Sequence, residues 1–280
     1  MSATRKQRQI FEKGSRTYFT ASQFFPQNIR DDVTTLYAFV RQADDFVDNV
    51  PADMEGFLNF EIEWQNHFHN KKVQDPIVRE FVKMAGKYAI KKEWVDAFLA
   101  ATKSDLCHKK CTSMQDTLSY VYGSAEVIGL MLCRIFGVDE KNYMGAQILG
   151  RSMQYANFLR DVDEDNQLGR QYIPLSIINR YGFKTLTKNE CQKKKKNYCK
   201  LMRAEIDRYR EWRKQAQKAI QALPFSVRVP VRLADSMYNW TTQQIYKSPL
   251  IVFDKKVKPA KWFILLTGLK YYLLGLIKLA

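Results

Sequence analysis

Apolar residues recur at intervals of three and four positions along most of this chain and seldom alternate with polar ones. That spacing collects them on one face of an α-helix, whereas a half-buried strand would alternate. The pattern predicts helices over residues 33–48, 114–136, 146–165 and 187–222, and it contains no convincing strand or fixed-period repeat. Most of the eight prolines fall between these stretches, as expected of a residue that is excluded from helix interiors. We therefore predict an all-α bundle in a single domain.

The predicted helix 33–48 carries a polar stripe that ends in two carboxylates. Tyr37 and Arg41 precede Asp44 and Asp48, and steps of four, three and four residues keep all of them on one side of a helix. A solvated helix face is the ordinary explanation of an acidic pair. Here the neighbouring positions are apolar, so we expect the stripe to face inward.

A second stripe of the same kind lies in the predicted helix 146–165. Gln154, Asn157, Asp161 and Asp165 follow one another at steps of three, four and four residues. Inward-facing carboxylates need a counter-ion, because like charges at this spacing repel by about 0.2–0.5 kcal/mol even on an isolated helix. If the two helices face each other, their carboxylates form an all-oxygen site with room for water and phosphate oxygens, which is how Mg²⁺ prefers to be bound. The stripes thus predict a site that ionises a diphosphate ester.

The charge of the chain is consistent with an anionic ligand. Its 45 Lys and Arg against 29 Asp and Glu give a formal net charge of +16, which favours a nucleic acid, a lipid headgroup surface or a phosphorylated substrate as partner. Arginines near the stripes can bind a diphosphate through paired hydrogen bonds; the candidates are Arg16, Arg41, Arg160 and Arg170. The lysine run 193–196 has no interleaved aromatic residues, so we interpret it as a solvated surface and expect no nucleic-acid partner.

Two glycine-containing segments do not support a nucleotide site. Residues 145–152 (GAQILGRS) approximate a P-loop, but Arg151 occupies the lysine position and no strand precedes the segment. Gly123 and Gly129 do not form a dinucleotide fingerprint. We interpret these two glycines as positions where helices pack closely.

The polar motifs resemble those of the squalene/phytoene synthase family of head-to-head isoprenyl diphosphate synthases, and among these most of all the phytoene synthases. The matching segments are residues 15–18 (SRTY), 37–48 (YAFVRQADDFVD), 120–129 (YVYGSAEVIG), 154–165 (QYANFLRDVDED) and 169–174 (GRQYIP). They span most of the chain, and their order and spacing are far more specific than a single DxxxD. The resemblance implies an isoprenoid-synthase-type helical bundle with a central active-site cavity.

The resemblance also implies a role for each matching residue. The implied metal ligands, for Mg²⁺ or alternatively Mn²⁺, are Asp44, Asp48, Asp161 and Asp165. The implied substrate-binding residues are Ser15, Arg16, Gln154, Asn157 and Arg170, and the implied catalytic residues are Tyr37, Arg41, Tyr122, Arg160 and Tyr172. Of these, Ser15, Arg16, Arg41, Arg160 and Tyr172 would hold diphosphates, whereas Tyr37 and Tyr122 would face the reacting carbons, where an aromatic face can stabilise a carbocation. The chain departs from the pattern at Glu126, where relatives have a small residue, and the basic contact near the C-terminus falls on Lys255 or Lys256.

The reaction implied by the resemblance joins two geranylgeranyl diphosphates. It would give phytoene through a cyclopropyl intermediate, prephytoene diphosphate, with release of diphosphate. A squalene or dehydrosqualene synthase that uses two farnesyl diphosphates is the alternative, and NADPH is needed only if squalene is the product. The non-enzymatic alternatives are an assembly factor that retains the fold and a basic binding protein. Such proteins would be free to lose the four aspartates.

The apolar tail, residues 261–280, follows a catalytic domain predicted over residues 1–260. Its length approaches the roughly 20 residues that span a bilayer, but Lys270 would lie near the middle at a cost of about 2.5–3.5 kcal/mol. We therefore expect an interfacial helix on anionic lipid, with simple packing on the core as the alternative. Sparse cysteines and the lack of a signal peptide favour a cytoplasmic protein, peripheral on the inner face of the cell membrane. The sequence does not indicate the oligomeric state.

Overall fold

The computed structural model of the chain describes residues 3–69, 71–107 and 109–277, with the side chains of residues 16, 17 and 275–277 outside that description. The first half contains α1 (Arg5–Gly14), α2 (Arg16–Ser22), α3 (Gln27–Asp48), α4 (Met54–Asn66), α5 (Pro76–Lys87), α6 (Lys92–Ser104), α7 (Met114–Val121), a π-helix (Tyr122–Glu126) and α8 (Val127–Phe136). The second half contains α9 (Tyr143–Arg160), α10 (Val162–Gln167), α11 (Leu175–Arg180), α12 (Lys188–Lys193), α13 (Lys195–Ala222), α14 (Phe225–Lys247) and α15 (Lys261–Ile277). Because 79% of the chain is helical and its described part contains no strand, the all-α prediction is confirmed.

Prolines and short polar side chains mark where several helices begin. Pro26, Pro174 and Pro224 directly precede α3, α11 and α14, and Pro76 is the first residue of α5. Asp75 caps α5 by accepting hydrogen bonds from the first backbone N–H groups that have no partner inside the helix. The punctuation predicted from the prolines is thus confirmed at these helix starts.

All of the predicted helical stretches are helical, but breaks divide most of them. The helix predicted over residues 33–48 begins earlier, at Gln27. The breaks fall at the π-helix within residues 114–136, at Asp161 within 146–165 and at Lys194 within 187–222. Pro230 lies inside α14. Hydrophobic periodicity does not report such breaks, because apolar side chains turn inward on both sides of them.

Two large apolar clusters and a smaller one form the core of the described part, and a cavity lies between the two large clusters. One cluster surrounds Phe39, Phe81 and Phe98 on α3, α5 and α6. The other surrounds Tyr155 on α9 and Tyr198 on α13. The cavity has a volume of about 630 Å³ and is lined by α2, α3, α8, α9, α13 and α14, a size typical of a ligand site.

The spacing of the helices around this cavity depends on close contact between backbones. A Cβ atom at Gly123 would lie 2.5 Å from the carbonyl oxygen of Ala97 on α6. At Gly129 it would lie 2.8 Å from the carbonyl oxygen of Ala146 on α9. Both distances are too short for any side chain, so the prediction that these glycines allow close packing is confirmed.

The last helix, α15, packs along α2 and α14. Ile264 is buried against Ala21 and Met237, and the hydroxyls of Ser236 and Tyr271 share a hydrogen bond of 2.6 Å. Within the described residues, Met114–Phe136 is long and apolar enough to cross a membrane, but half of it is buried in the fold, and core helices of soluble proteins pass the same test.

Candidate active site

The stripe predicted on α3 forms one wall of the cavity. Val33, Tyr37, Arg41, Asp44 and Asp48 all line it, and at 1.5 Å per residue they extend over roughly 22 Å. The wall changes from apolar at Val33 to acidic at Asp48. The other walls follow the same order, with Phe25, Leu132, Phe136, Ile220 and Leu223 at the apolar end and Asp105, Asp161, Asp165, Arg160, Arg170 and Lys256 at the polar end. The two predicted stripes therefore meet in one cavity.

The first aspartate pair is tied to the segment that follows the second pair. Arg170 is buried, its Nη1 donates to Asp48 Oδ1 over 2.7 Å, and its Nη2 donates to the carbonyl oxygen of Val47 over 2.7 Å. Arg41 forms an ion pair with Asp45 rather than with Asp44. Arg170, predicted to bind substrate, thus also anchors the C-terminal end of α3.

The second aspartate pair lies where α9 ends and α10 begins. Arg160 Nε donates to Asp161 Oδ1 over 2.8 Å, and Lys256 Nζ lies 3.6 Å from the same oxygen. Lys256 also forms an ion pair with Glu164. The helical hydrogen-bond pattern continues across the break, because the backbone N–H of Asp165 donates to the carbonyl oxygen of Asp161 over 2.8 Å. Both carboxylates therefore face the cavity although the helix is not continuous.

Crowding makes the carboxylates of this end a favourable place for a cation. Burial, with a further contribution from Asp48, raises the pKa of Asp44 to about 8. Burial and the nearby Asp161 raise the pKa of Asp165 well above its usual range. Within the described ranges no cluster of three or more His, Cys, Asp or Glu is arranged to hold a metal alone. Paired carboxylates fit Mg²⁺, which is usually bound through one or two carboxylates together with substrate phosphates.

The tyrosines at the wall are not all those predicted. Tyr37 lines the cavity and stacks on Phe11 with ring centroids 4.0 Å apart. Tyr122 is 38% exposed and does not line the cavity, whereas Tyr120 does. The prediction that Tyr122 faces the reacting carbons is therefore wrong. Side chains two positions apart on a helix point to nearly opposite sides. Here Tyr120 points into the cavity and Tyr122 points away from it.

Asp105 is a cavity residue that the sequence patterns missed. It lies in the turn after α6, is buried, and accepts hydrogen bonds from the hydroxyls of Tyr120 (2.6 Å) and Tyr172 (2.7 Å). Burial raises the pKa of Asp105, while the two tyrosine hydroxyls and Arg170 oppose the shift. Tyr172 thus donates its one hydroxyl proton to Asp105 in this structure, and its predicted contact with a diphosphate stays a prediction. No second carboxylate at helical spacing marks Asp105 in the sequence.

Only one of the two lysines predicted as the basic contact near the C-terminus lines the cavity. Lys256 and Lys258 line the polar end of the cavity, and Lys255 does not. Burial, with the positive charge of Lys256, lowers the pKa of Lys258. The sequence named Lys256 only as one of two candidates and gave no sign of Lys258, which lies in a loop without periodicity.

Other predicted residues line the cavity as expected, but their roles stay predictions. Asn157 donates to Gln154 Oε1 over 3.1 Å, while the buried Asn157 Oδ1 has no protein partner. Ser15 caps α2 by accepting from the backbone N–H of Tyr18 over 3.2 Å. The side chain of Arg16 lies outside the described residues.

Glu126, the departure from the family pattern, does not line the cavity. Its side chain is 4% exposed and accepts a hydrogen bond of 2.7 Å from Arg151 Nε. The Arg151 guanidinium lies 5.8 Å from the centre of the Trp212 ring. Arg151, which made residues 145–152 resemble a P-loop only in part, thus neutralises the unusual carboxylate.

Comparison with known proteins agrees with this geometry. The family model for squalene/phytoene synthase matches residues 11–262. A phytoene synthase from Arthrospira platensis is 25% identical over 272 residues, which cover 91% of this chain and 87% of that protein. A solved dehydrosqualene synthase in complex with ligand has a TM-score of 0.84 at 21% identity and covers 95% of this chain and 93% of its own. A squalene synthase from Alicyclobacillus acidocaldarius has a TM-score of 0.76 at 20% identity and covers 86% and 92%.

Proposed function

Because the chain belongs to the squalene/phytoene synthase family and is a prenyltransferase of that type, we propose that it joins two geranylgeranyl diphosphates head to head to give phytoene. The first half-reaction forms prephytoene diphosphate and releases one diphosphate. The second releases the other diphosphate and ends with loss of a proton. Two farnesyl diphosphates, giving squalene or dehydrosqualene, are the alternative substrates.

The observation that carries the proposal is the change from acidic to apolar along the cavity. The polar end holds the carboxylates and basic side chains, whereas the opposite end is closed by Phe25 and Phe136, whose rings are 5.4 Å apart. The part of the α3 wall from Val33 to the first aspartate, Asp44, measures roughly 16 Å. An extended geranylgeranyl chain measures roughly 19 Å and a farnesyl chain roughly 14 Å at about 1.25 Å per carbon–carbon bond. A farnesyl chain therefore stops short of Val33, whereas a geranylgeranyl chain reaches past it toward Phe25 and Phe136.

The residues of the polar end act on the departing diphosphate. Asp44, Asp48, Asp161 and Asp165 would hold Mg²⁺, which would supply positive charge next to the leaving diphosphate. Arg160 and Lys256, which pair with Asp161 in this structure, can exchange that carboxylate for phosphate oxygens. The apolar walls exclude water from the carbocation, and the Tyr37 ring offers it an aromatic face.

Product analysis tests the proposal directly. The purified chain is incubated with Mg²⁺ and labelled geranylgeranyl or farnesyl diphosphate, each with and without NADPH, and the lipid extract is separated by chromatography. We expect phytoene from geranylgeranyl diphosphate without NADPH. Squalene formed only with NADPH, or dehydrosqualene from farnesyl diphosphate at a higher kcat/KM, overturns the substrate assignment. No condensation product from either substrate overturns the proposal as a whole.

We further propose that the enzyme is cytoplasmic and binds the inner face of the cell membrane through α15. The outward face of this helix is apolar, with Trp262 65% and Leu266 60% exposed and with Leu269 and Leu273 on the same side. Residues 255–277 include lysines but no acidic residue. An apolar helix face next to lysines is suited to anionic lipid, to which each lysine near the surface contributes about 1 kcal/mol.

Flotation with vesicles tests the membrane contact separately from catalysis. We expect the chain to float with phosphatidylglycerol-containing vesicles and to be released as salt increases. Leu266→Glu with Leu273→Glu should abolish flotation without affecting turnover of detergent-solubilised substrate. Ile62→Glu is the control, since Ile62 is 55% exposed on α4. Full-length protein that stays unbound at low salt overturns the membrane proposal and leaves the catalytic one intact.

A further inference from the structure

Asp105 connects two tyrosines of the cavity wall. The hydroxyls of Tyr120 and Tyr172 both donate to its carboxylate, over 2.6 and 2.7 Å, and lie 3.4 Å from each other. All three residues line the cavity and are buried. The Tyr172 ring also stacks on Phe158, with centroids 4.4 Å apart and planes 14° apart. The carboxylate therefore fixes both phenols at the polar end of the cavity.

We infer that Asp105 is a positioning residue for the carbocation steps, an inference that rests on the function proposed above. A phenol whose proton is held by a carboxylate directs its O–H bond away from the substrate. Its oxygen lone pairs then remain for the cavity, where they favour developing positive charge. Because these groups are fixed before the reaction, the wall does not reorganise as the charge forms. Asp105 thus acts through Tyr120 and Tyr172 rather than by touching the substrate.

Replacing the carboxylate of Asp105 by an amide would change which groups donate the hydrogen bonds. An amide at position 105 would present an N–H₂ group to one of the phenols and accept from the other. The phenol facing the N–H₂ group would become an acceptor, and its own O–H would turn toward the cavity. A hydroxyl hydrogen directed at a carbocation is repulsive. The side chain keeps its shape in this substitution, so packing is preserved while the hydrogen-bond direction changes.

Asp105→Asn tests the inference by steady-state kinetics. We expect kcat to fall at least about tenfold, with KM and the affinity for a non-ionisable thiolo-diphosphate analogue within about threefold of wild type. The control is Asp235→Asn, because Asp235 is also buried and bonded, to Arg213, but does not line the cavity. Asp235→Asn should alter the melting temperature and leave kcat of the folded protein unchanged.

A double-mutant cycle identifies the route of the effect. Combining Tyr120→Phe and Tyr172→Phe keeps both rings and removes both hydroxyls. In that background Asp105→Asn should change kcat by less than about twofold, because there is no phenol left to orient. A full effect of Asp105→Asn in the double-Phe protein overturns the inference, and so does a wild-type kcat for Asp105→Asn.

The remaining outcomes are equally decisive. Equal losses of analogue affinity and kcat in Asp105→Asn would mean a binding role and overturn the inference. If that variant does not fold, the two Tyr→Phe proteins decide, since wild-type turnover of both contradicts a role for the oriented phenols. A wild-type chain without any condensation activity removes the proposed function itself. An active wild type with unaffected variants removes only this inference.

Discussion

Replacing Asp44 by asparagine should make the metal-free protein more stable at alkaline pH while abolishing turnover. Burial and Asp48 raise the pKa of Asp44 to about 8 in the folded protein, against an ordinary value of about 3.9 in the unfolded chain. Between these two pH values the folded protein binds more protons than the unfolded chain. The free energy of unfolding therefore falls as pH rises from about 4 to about 8, and it does not recover above that.

The size of the effect can be worked out from the same numbers. A pKa of about 8 against 3.9 corresponds to a ceiling of roughly 6 kcal/mol. Solvent in the cavity screens the carboxylates, so we expect about 2–3 kcal/mol. At roughly 2 °C per kcal/mol for a protein of this size, Asp44→Asn should raise the melting temperature at pH 8.5 by about 4–6 °C and change it little at pH 4.

Thermal unfolding in EDTA, followed by circular dichroism between pH 4 and pH 9, measures this difference. The control is Asp163→Asn, because Asp163 lies on α10 but off the cavity wall. Mg²⁺ with inorganic diphosphate should then stabilise wild type more than Asp44→Asn, since the ligand binds only the folded protein. An identical pH dependence of the melting temperature in wild type and Asp44→Asn would refute the argument that the buried, crowded carboxylates destabilise the metal-free protein at alkaline pH.

Three further outcomes are expected. Chelation with EDTA should stop turnover and added Mg²⁺ should restore it, and Asp161→Asn should stay folded by circular dichroism but lose activity; turnover under complete chelation would contradict both. Tyr122→Ala should keep kcat within about twofold, because this side chain lies off the cavity, whereas Tyr120→Ala should lose activity; the reverse order would restore the original assignment. Arg151→Met should cost about 3 kcal/mol in urea unfolding by leaving Glu126 buried and unpaired, and Glu126→Gln should recover most of it; additive losses would show that the two side chains are not coupled.

Residues that follow a helical period were the ones the sequence placed correctly. Tyr37, Arg41, Asp44 and Asp48 share a wall because they share a face of α3, and a face is what spacing reports. The second stripe reached the same cavity even though the helix breaks at Asp161. Asp161 and Asp165 both face the cavity despite the break. The wrong prediction of one continuous helix therefore did not affect the prediction of the site.

The sequence failed where position depends on contacts between distant segments. Asp105 can be identified as a cavity residue only from the folded structure, in which it accepts hydrogen bonds from Tyr120 and Tyr172. In the sequence it is a single carboxylate without a second one at helical spacing. The sequence motif pointed to Tyr122, whereas Tyr120, two positions earlier, lines the cavity. The π-helix that begins at Tyr122 shifts the helical register of the residues after it. Glu126 was recognised only as a departure from the family pattern, because spacing along the chain does not indicate its partner Arg151, 25 residues away.

The close approach at Gly123 and Gly129 also limits how this enzyme can evolve. The backbones of α6 and α9 already contact these glycines, so the cavity cannot become narrower there by a closer approach of the helices. Any larger residue at either position would push the helices apart at a cost in stability. Variation in product length is thereby left to side chains that reach into the lumen, such as Phe25, Leu132 and Phe136. A laboratory search for altered chain length should therefore diversify these three positions and leave the two glycines untouched.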